Sequence, residues 1–289
     1  MSVLVLGASG MLGSTVVHRL RTTQPEWGVE GVGHGTDGRL MFDAEAGRPA
    51  LEDLLRLGRY DYIINCIGVL KTAIDERVAE QLERAIRVNG LFPHEAAAVA
   101  AGHSSRVIHV STDAVFSGRL LRPYTVKDPP DPVDVYGMTK ALGESPAGNV
   151  LNIRCSIVGR DRRCRGLIEW YRGATSPSVT GFVDYVWTPV TTVQVADFCA
   201  ALVRGDFDRC RVNGHVLHFA PNDPLSKATF LEYLREALGG GPSIEASPGP
   251  GGPCHRVLAS DDEKARWPQP RDWPGLFSDV FAEFSLRGV

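Results

Sequence analysis

The chain has 289 residues, 43% apolar and 22% charged, which is the composition of a globular protein and far from a disordered or fibrous one. The length suits one large domain or a domain with a smaller lobe. A net charge of −3 with no dominant Lys/Arg run argues against a nucleic-acid or anionic-membrane surface, and no apolar stretch reaches the length of a membrane span.

The chain opens MSVLVLGASGMLG, an apolar run too short for a secretory signal and without its basic flank. The cytoplasm is the expected compartment. Val3–Leu6, Tyr62–Ile67, Val107–Val110 and Val150–Ile153 are near-continuous apolar runs, the pattern of parallel strands covered on both faces. Val29–Val32 is a weaker second strand, and Leu40–Phe42 a candidate third. Helices are expected over Met11–Thr22, Pro49–Leu57, Asp75–Ala101 and Val135–Glu144. Pro93, with no N–H to donate, should kink or divide the third of these. The alternation of strands and helices predicts an α/β fold with a parallel sheet.

After about residue 155 the rhythm changes. Arg165–Gly173 and Val193–Arg204 read as helices, Val216–Phe219 as a strand, and Ser226–Leu238 as a helix capped by Ser226. Gly239–Pro253 is rich in Gly and Pro and reads as a loop, and a helix over Trp273–Phe284 follows. No internal repeat is present. The six cysteines, Cys66, Cys155, Cys164, Cys199, Cys210 and Cys254, show no metal-ligand spacing, so reduced and mostly buried thiols are expected and no bound metal.

Gly7, Gly10 and Gly13 fall between the first strand and the first helix, with spacing GxxGxxG. Gly7 allows the tight turn, Gly10 lets a pyrophosphate approach the backbone, and Gly13 lets the helix pack closely on the strand. The unpaired N–H groups and the dipole of the helix then favour phosphate there. This predicts a doubly wound Rossmann domain over residues 1–160, completed by about 188–215. Residues 161–187 and 216–289 form a small substrate-binding lobe interleaved with it. The second strand runs into Gly33-His34-Gly35-Thr36, with no carboxylate before Asp37 to grip a ribose hydroxyl. Arg39 either meets the 2′-phosphate of NADPH or is a solvated loop charge. The balance leans slightly to NADPH over NADH, with Asp43 near the adenine.

Tyr136 and Lys140 lie four residues apart, on one face if the segment is helical, with Asp134 placed to cap it. Gly137 and Gly143 each cost such a helix about 1 kcal/mol against alanine, so close approach of another group is expected there. Reducing a ketone requires a hydride on carbon and a proton on oxygen. A free tyrosine, with a pKa of about 10, gives up its proton reluctantly near neutrality. Bringing that value to about 7–8 requires roughly 3–4 kcal/mol. A cation about 4 Å away at an effective dielectric near 20 supplies that order, whereas a helix N-terminus alone supplies about 0.3–1 kcal/mol. Upstream, the strand at Val107–Val110 runs into Ser111-Thr112-Asp113, and Thr112 is placed to hold a substrate oxygen.

Taken in order, GASGMLG, Asn65-Cys66-Ile67-Gly68, Val88-Asn89-Gly90, STDAVFSG, YGMTKALGE and Arg154-Cys155-Ser156-Ile157-Val158-Gly159 resemble the extended short-chain dehydrogenase/reductases. Within them the resemblance is to the dTDP-4-dehydrorhamnose reductase-like sugar-nucleotide reductases, over about residues 1–200. It implies Thr112, Tyr136 and Lys140 as the catalytic residues, with Lys140 also holding the nicotinamide ribose. It implies Gly7, Gly10, Met11 and Leu12 along the pyrophosphate, and Cys66, Ile67 and Gly68 beneath the cofactor after the fourth strand. Asn89 corresponds to the family's helix asparagine near the active-site backbone. Ala114 and Ile157 stand where related reductases often carry aromatics, which reshapes the sugar pocket and makes a related 4-keto-sugar nucleotide as good a candidate as dehydrorhamnose.

For substrate contacts the candidates are Asp113, Trp187 beside Tyr185, and Arg160 in the Arg160–Arg165 cluster, where arginine forks suit a diphosphate. Trp187 as simple packing and the arginines as a solvated basic loop are the competing readings. Lys71 either touches substrate or faces solvent, and His94 is structural.

The implied activity is NAD(P)H-dependent reduction of a nucleotide-linked 4-keto-6-deoxysugar, with hydride to C4 and a proton from Tyr136. An epimerase on the same scaffold is a second reading, and a non-catalytic NADP-binding regulatory subunit a third. Dehydratases usually need a carboxylate pair after the catalytic threonine, and here Asp113 is followed by Ala114. A homodimer is left open.

Overall fold

In the computed structural model, residues 1–34, 41–211, 214–260 and 272–287 are described. The chain divides into two compact units. The first holds residues 1–116, 130–154 and 196–217, the second 117–129, 155–195 and 218–289. Residues 117–129, 155–160 and 188–195, expected in the nucleotide-binding domain, thus fall in the second unit.

In the first unit, β1 (Ser2–Leu6), α1 (Met11–Thr23), β2 (Gly28–Val32), α2 (Gly47–Leu57) and β3 (Tyr62–Asn65) are followed by α3 (Ala79–Ala85), α4 (Phe92–Gly102), β4 (Arg106–Val110), α5 (Val135–Leu142) and β5 (Val150–Arg154). The central sheet has the order β2-β1-β3-β4-β5-β10, with β10 at Val216–His218. The pairs β2–β1, β1–β3, β3–β4 and β4–β5 are all parallel. This is the α/β fold with the parallel sheet that the alternating pattern predicted. Register aligns Leu4, Ile63, Val107 and Val150 in one cross-strand row. Together with Leu51 and Leu55 of α2 and Phe92 and Ala96 of α4 they make a fully buried core.

Three expectations are corrected here. Leu40–Phe42 is no strand among the described residues; Met41 makes only an isolated bridge to Gly33, and Leu40 lies outside them. The helix expected from Asp75 begins at Ala79, and residues Ile86–Leu91 between α3 and α4 wind as a wide π turn. Pro93 supplies the reason: it cannot donate to the carbonyl of Asn89, four residues back, so the regular ladder fails there. The Gly239–Pro253 segment holds a strand, described below, that its composition concealed.

The second unit contains β6 (Ser156–Val158), α6 (Leu167–Arg172), β7 (Ser178–Phe182), β8 (Tyr185–Trp187), β9 (Pro189–Thr191), β11 (Leu225–Ser226), α9 (Lys227–Ala237), β12 (Ser243–Ser247), β13 (Cys254–Arg256) and α10 (Trp273–Leu286). Helix α7 (Thr192–Ala201) crosses the division between the units, and α8 (Phe207–Arg211) belongs to the first. The strands form small sheets, β11-β8-β13, β12-β7 and β6-β9. Ser226 caps α9 as expected, accepting from Thr229 N at 3.0 Å. The core is aromatic: Phe230 meets Trp187, Trp273 and Phe277 at ring-centre distances of 5.4, 5.3 and 5.3 Å. All six cysteines are free thiols, three of them (Cys155, Cys199, Cys210) buried.

Candidate active site

The glycine loop sits where β1 ends. Gly7 adopts φ +83°, open to glycine at little cost, and both Gly7 N and Ala8 N donate to Val32 O at 2.9 Å. That pins the turn to the end of β2. A Cβ on Gly13 would lie well inside contact distance of the Gly7 carbonyl, so glycine alone lets α1 press onto the turn. At Gly10 a Cβ would meet only Gly7 O, at 3.3 Å, leaving its outer side open. No side chain caps α1. Its first N–H groups, at Met11, Leu12 and Gly13, therefore face that open side without an intrahelical partner. These features fit a dinucleotide pyrophosphate: an uncapped helix N-terminus behind a loop with no side chains in the way.

Beside this loop lies the segment after β3. Cys66 N donates to Leu6 O at 3.0 Å, and a Cβ on Gly7 would touch Cys66 and Ile67 backbone atoms at 3.1 Å. Asn65, Cys66, Ile67 and Gly68 are thereby held against the glycine turn. Asn89 reaches the same segment from the π turn. Its Oδ1 accepts from Val69 N at 2.8 Å, and its Nδ2 donates to Val69 O at 3.0 Å and Thr139 Oγ1 at 3.3 Å. One buried side chain thus ties this segment to α5.

Helix α5 carries Tyr136 and Lys140 one turn apart. Asp134 caps it, accepting from Gly137 N at 2.8 Å, and is itself paired with Lys71 at 2.8 Å. Lys71 therefore acts on the cap. Both helix glycines are explained by close approach. A Cβ on Gly137 would run into Ala114 O, and one on Gly143 into Asn89 O, the carbonyl to which Pro93, four residues on, has no N–H to donate. Seated this way, α5 packs by its backbone against the turn that begins at Thr112. His94, expected to be structural, holds Leu142 O at 2.7 Å.

Thr112 and Asp113 are buried. Thr112 Oγ1 accepts from Ala114 N at 3.1 Å and lies 3.2 Å from Asp113 Oδ1. Lys140 is only 4% exposed, and its Nζ donates to Val110 O at 2.7 Å. The main chain of β4 therefore anchors the ammonium.

Several neighbours carry no signal that the sequence reading used. Asn65, His109 and Asn152 occupy one cross-strand register row, two residues further along the strands than the apolar row of Ile63, Val107 and Val150. All three are buried. Ser111 Oγ donates to Glu144 Oε1 at 2.7 Å, and Arg154 grips Glu144 through two bonds of 2.8 and 2.7 Å. Polar residues breaking near-continuous apolar strands at matched positions were the available clue.

Asp43, Arg160 and Trp187 have partners of their own. Asp43 caps the short turn at Ala44–Ala46, accepting from Glu45 N at 2.9 Å. Arg39 lies outside the described residues. In the second unit, Arg160 is bonded to Glu169 and stacked on Phe284 at 4.3 Å, while Arg165 pairs with Asp161 at 2.9 Å. The arginine cluster is thus largely an internal ion-pair network. Trp187 is buried, packed on Phe230, with Lys227 Nζ 3.5 Å from its ring centre. Both placements are those of packing side chains.

Residues 1–248 match the family described as the RmlD substrate binding domain. A probable low-salt glycan biosynthesis reductase of Haloferax volcanii is 31% identical over 83% of this chain and 81% of its own. A dTDP-4-keto-6-deoxy-D-glucose reductase of Streptomyces niveus is 32% identical over 70% of this chain and 68% of its own. Among solved structures, the dTDP-4-dehydrorhamnose reductase of Bacillus anthracis in complex with NADP superposes with a TM-score of 0.80 at 17% identity, covering 98% of this chain and 99% of that one.

Proposed function

The chain belongs to the RmlD substrate-binding domain family, and from that premise we propose that it is an NAD(P)H-dependent reductase of a nucleotide-linked 4-keto-6-deoxysugar. The observation that carries this reading is the seating of α5. Gly137 presses on the carbonyl of Ala114, which seats the helix that carries Tyr136 and Lys140 against the turn that begins at Thr112.

When bound, a reduced nicotinamide supplies the hydride that goes to C4 of the sugar. The residues of this chain supply the rest. Gly7, Gly10 and the N–H groups of Met11, Leu12 and Gly13 hold the diphosphate. Cys66, Ile67 and Gly68 form the floor beneath the cofactor, steadied by Asn89. Tyr136 gives its phenolic proton to the oxygen as the ketone becomes an alcohol. Lys140, anchored on Val110 O, stabilises the phenolate that remains and holds the ribose. Thr112 keeps its acceptor bond from Ala114 N and turns its hydroxyl hydrogen toward the substrate oxygen, with Asp113 alongside.

NADPH is the preferred donor in this reading. No carboxylate lies between the end of β2 and residue 36, and the Bacillus anthracis reductase was solved with NADP. The Streptomyces niveus relative makes dTDP-linked 4-keto-6-deoxyglucose the first substrate to try. The packing of Arg160 and Trp187 moves the search for diphosphate and base contacts to other side chains of the second unit. A cytoplasmic setting agrees with six free thiols. No helix among the described residues is long and apolar enough to cross a membrane. For assembly, Ile86, Leu91, Met138 and Leu142 are exposed on the packed π turn and α5, a surface suited to a homodimer. Light scattering that returns only the 31.4 kDa monomer at micromolar concentration removes the dimer.

Purified protein, NADPH and a panel of dTDP- and other nucleotide-linked 4-keto-6-deoxysugars should show loss of reduced-nicotinamide absorbance. Tyr136→Phe should keep NADPH affinity and lower kcat by at least about 10²–10⁴. Undiminished turnover removes Tyr136 from the chemistry. Product formed with no net loss of NADPH means epimerisation instead.

A further inference from the structure

Beneath Lys140 lies a buried pair of side chains that the reaction described so far leaves unused. Asn65 Nδ2 is 3.1 Å from His109 Nδ1, and His109 Nε2 is 3.5 Å from Lys140 Nζ. His109 is 1% exposed. Asn65 is oriented by the backbone, because its Oδ1 accepts from Ile67 N at 3.0 Å. Turning the amide over would set its NH2 against that N–H. With the amide so fixed, Nδ2 donates to His109 Nδ1, which must be an unprotonated acceptor. A neutral ring then carries its hydrogen on Nε2, the nitrogen that faces Lys140.

We propose that His109, locked by Asn65 as the Nε2–H tautomer, is a positioning residue that makes Lys140 a proton carrier during turnover. An N–H aimed at an ammonium opposes the cation, whereas an N–H aimed at a neutral amine is a hydrogen bond. The inference rests on the proposed reduction and adds one step to it. Once Tyr136 has given its proton to the sugar oxygen, Lys140 passes one ammonium proton to the phenolate. The amine that remains accepts the Nε2–H of His109 and keeps its own bond to Val110 O. Water then returns a proton to Lys140, and His109 retains its own hydrogen throughout.

Burial holds His109 far below the usual imidazole range, and the charges of Lys140 and His94 push the same way. The ring therefore stays neutral across the working range. Lys140 of α5 and His94 of α4 are the titratable groups whose charges act on the ring.

Long-range proton–nitrogen NMR of the NADPH-loaded protein with nitrogen-labelled histidine reads the tautomer directly. Of eight histidines, one should keep the Nε2–H form without titrating, and its signals should vanish in His109→Leu. An Nδ1–H form, or titration near neutrality, overturns the proposal. The kinetic readout is the alkaline limb of kcat/KM. Losing the opposing N–H favours the ammonium, so His109→Leu should move the limb upward by about one pH unit with NADPH affinity unchanged. Asn65→Asp keeps the acceptor for Ile67 N but draws the ring hydrogen to Nδ1, and should move it in the same direction. Limbs unmoved in both variants overturn the proposal. If no nucleotide sugar consumes NADPH, the proposed reduction fails, and the tautomer still decides whether the locked pair exists.

Discussion

A methyl group at residue 13 and one at residue 10 differ in what they strike. At 13 it meets the Gly7 carbonyl and, at 3.0 Å, Ala8 N, backbone atoms that cannot move aside without lifting α1 off β1. At 10 it meets only Gly7 O, at 3.3 Å, and otherwise enters the open space where we propose that the phosphate binds. Gly13→Ala should therefore lower stability by about 1–3 kcal/mol as well as weaken NADPH binding. Gly10→Ala should keep stability within about 0.5 kcal/mol while losing at least tenfold in affinity, about 1.4 kcal/mol. Denaturant titrations beside cofactor titrations check the split, and equal stability losses would refute it. Such glycines are legible in a sequence because spacing alone encodes a backbone constraint. Arg160 and Trp187 were not. A guanidinium or indole suits a nucleotide as well as it suits a core, and only the fold shows that Glu169 and Phe284 take one while Phe230 and Lys227 take the other.

Helix α5 is held as an element at both ends. At its start, Asp134 caps it under Lys71. At its end, Glu144 joins Arg154 of β5 and Ser111 just after β4, with both charged side chains about 95% buried. A buried pair broken on one side leaves a desolvated charge, so Arg154→Met should destabilise by about 3–5 kcal/mol. Glu144→Gln with Arg154→Met should cost less than the sum of the two single changes, since it strands no charge. Urea unfolding of the four proteins closes the cycle, and simple additivity would show the pair to be uncoupled. At this scale the strands of the central sheet were legible, because burial on both faces leaves long apolar runs. The helix expected over Asp75–Ala101 was only partly so. Pro93 announced a break but not its form, and the π turn packs with its Asn89 carbonyl close against Gly143, a residue 54 positions away. Strand β12 was hidden for a related reason. Its Gly/Pro flanks read locally as loop, and its pairing with β7, Ser243 beside Ser178, is a tertiary decision.

Across the whole molecule, the proposed cofactor contacts all belong to the first unit, while the aromatic core around Phe230 belongs to the second. A ligand that binds only the native form stabilises by RT ln(1 + [L]/Kd), about 2.7 kcal/mol at a concentration of 100 Kd. Amides in β1, β3 and β4 that exchange through unfolding of the first unit should therefore slow by up to about 100-fold when NADPH is present at that level. Amides of α9 and β12 report whether the second unit shares that transition. Equal slowing in both means one cooperative unfolding event; slowing confined to the first unit means two. Slowing confined to α9 and β12 would place the nucleotide outside the glycine loop and overturn the cofactor assignment. The interleaved order of the chain, in which residues 117–129 leave the first unit and 196–217 return to it, gives that measurement its interest. Sequence composition changes little across those crossings, so the domain division expected at residue 160 followed the rhythm of the elements and missed the excursion at 117. Tyr124 explains why that segment leaves: its N–H donates to Val257 O at 2.7 Å and its carbonyl accepts from Ala259 N at 2.8 Å, partners more than 130 residues further along. Exchange at Tyr124 and Ala259 should accordingly follow α9 and β12, with or without NADPH; protection that follows β4 instead would assign the excursion to the first unit.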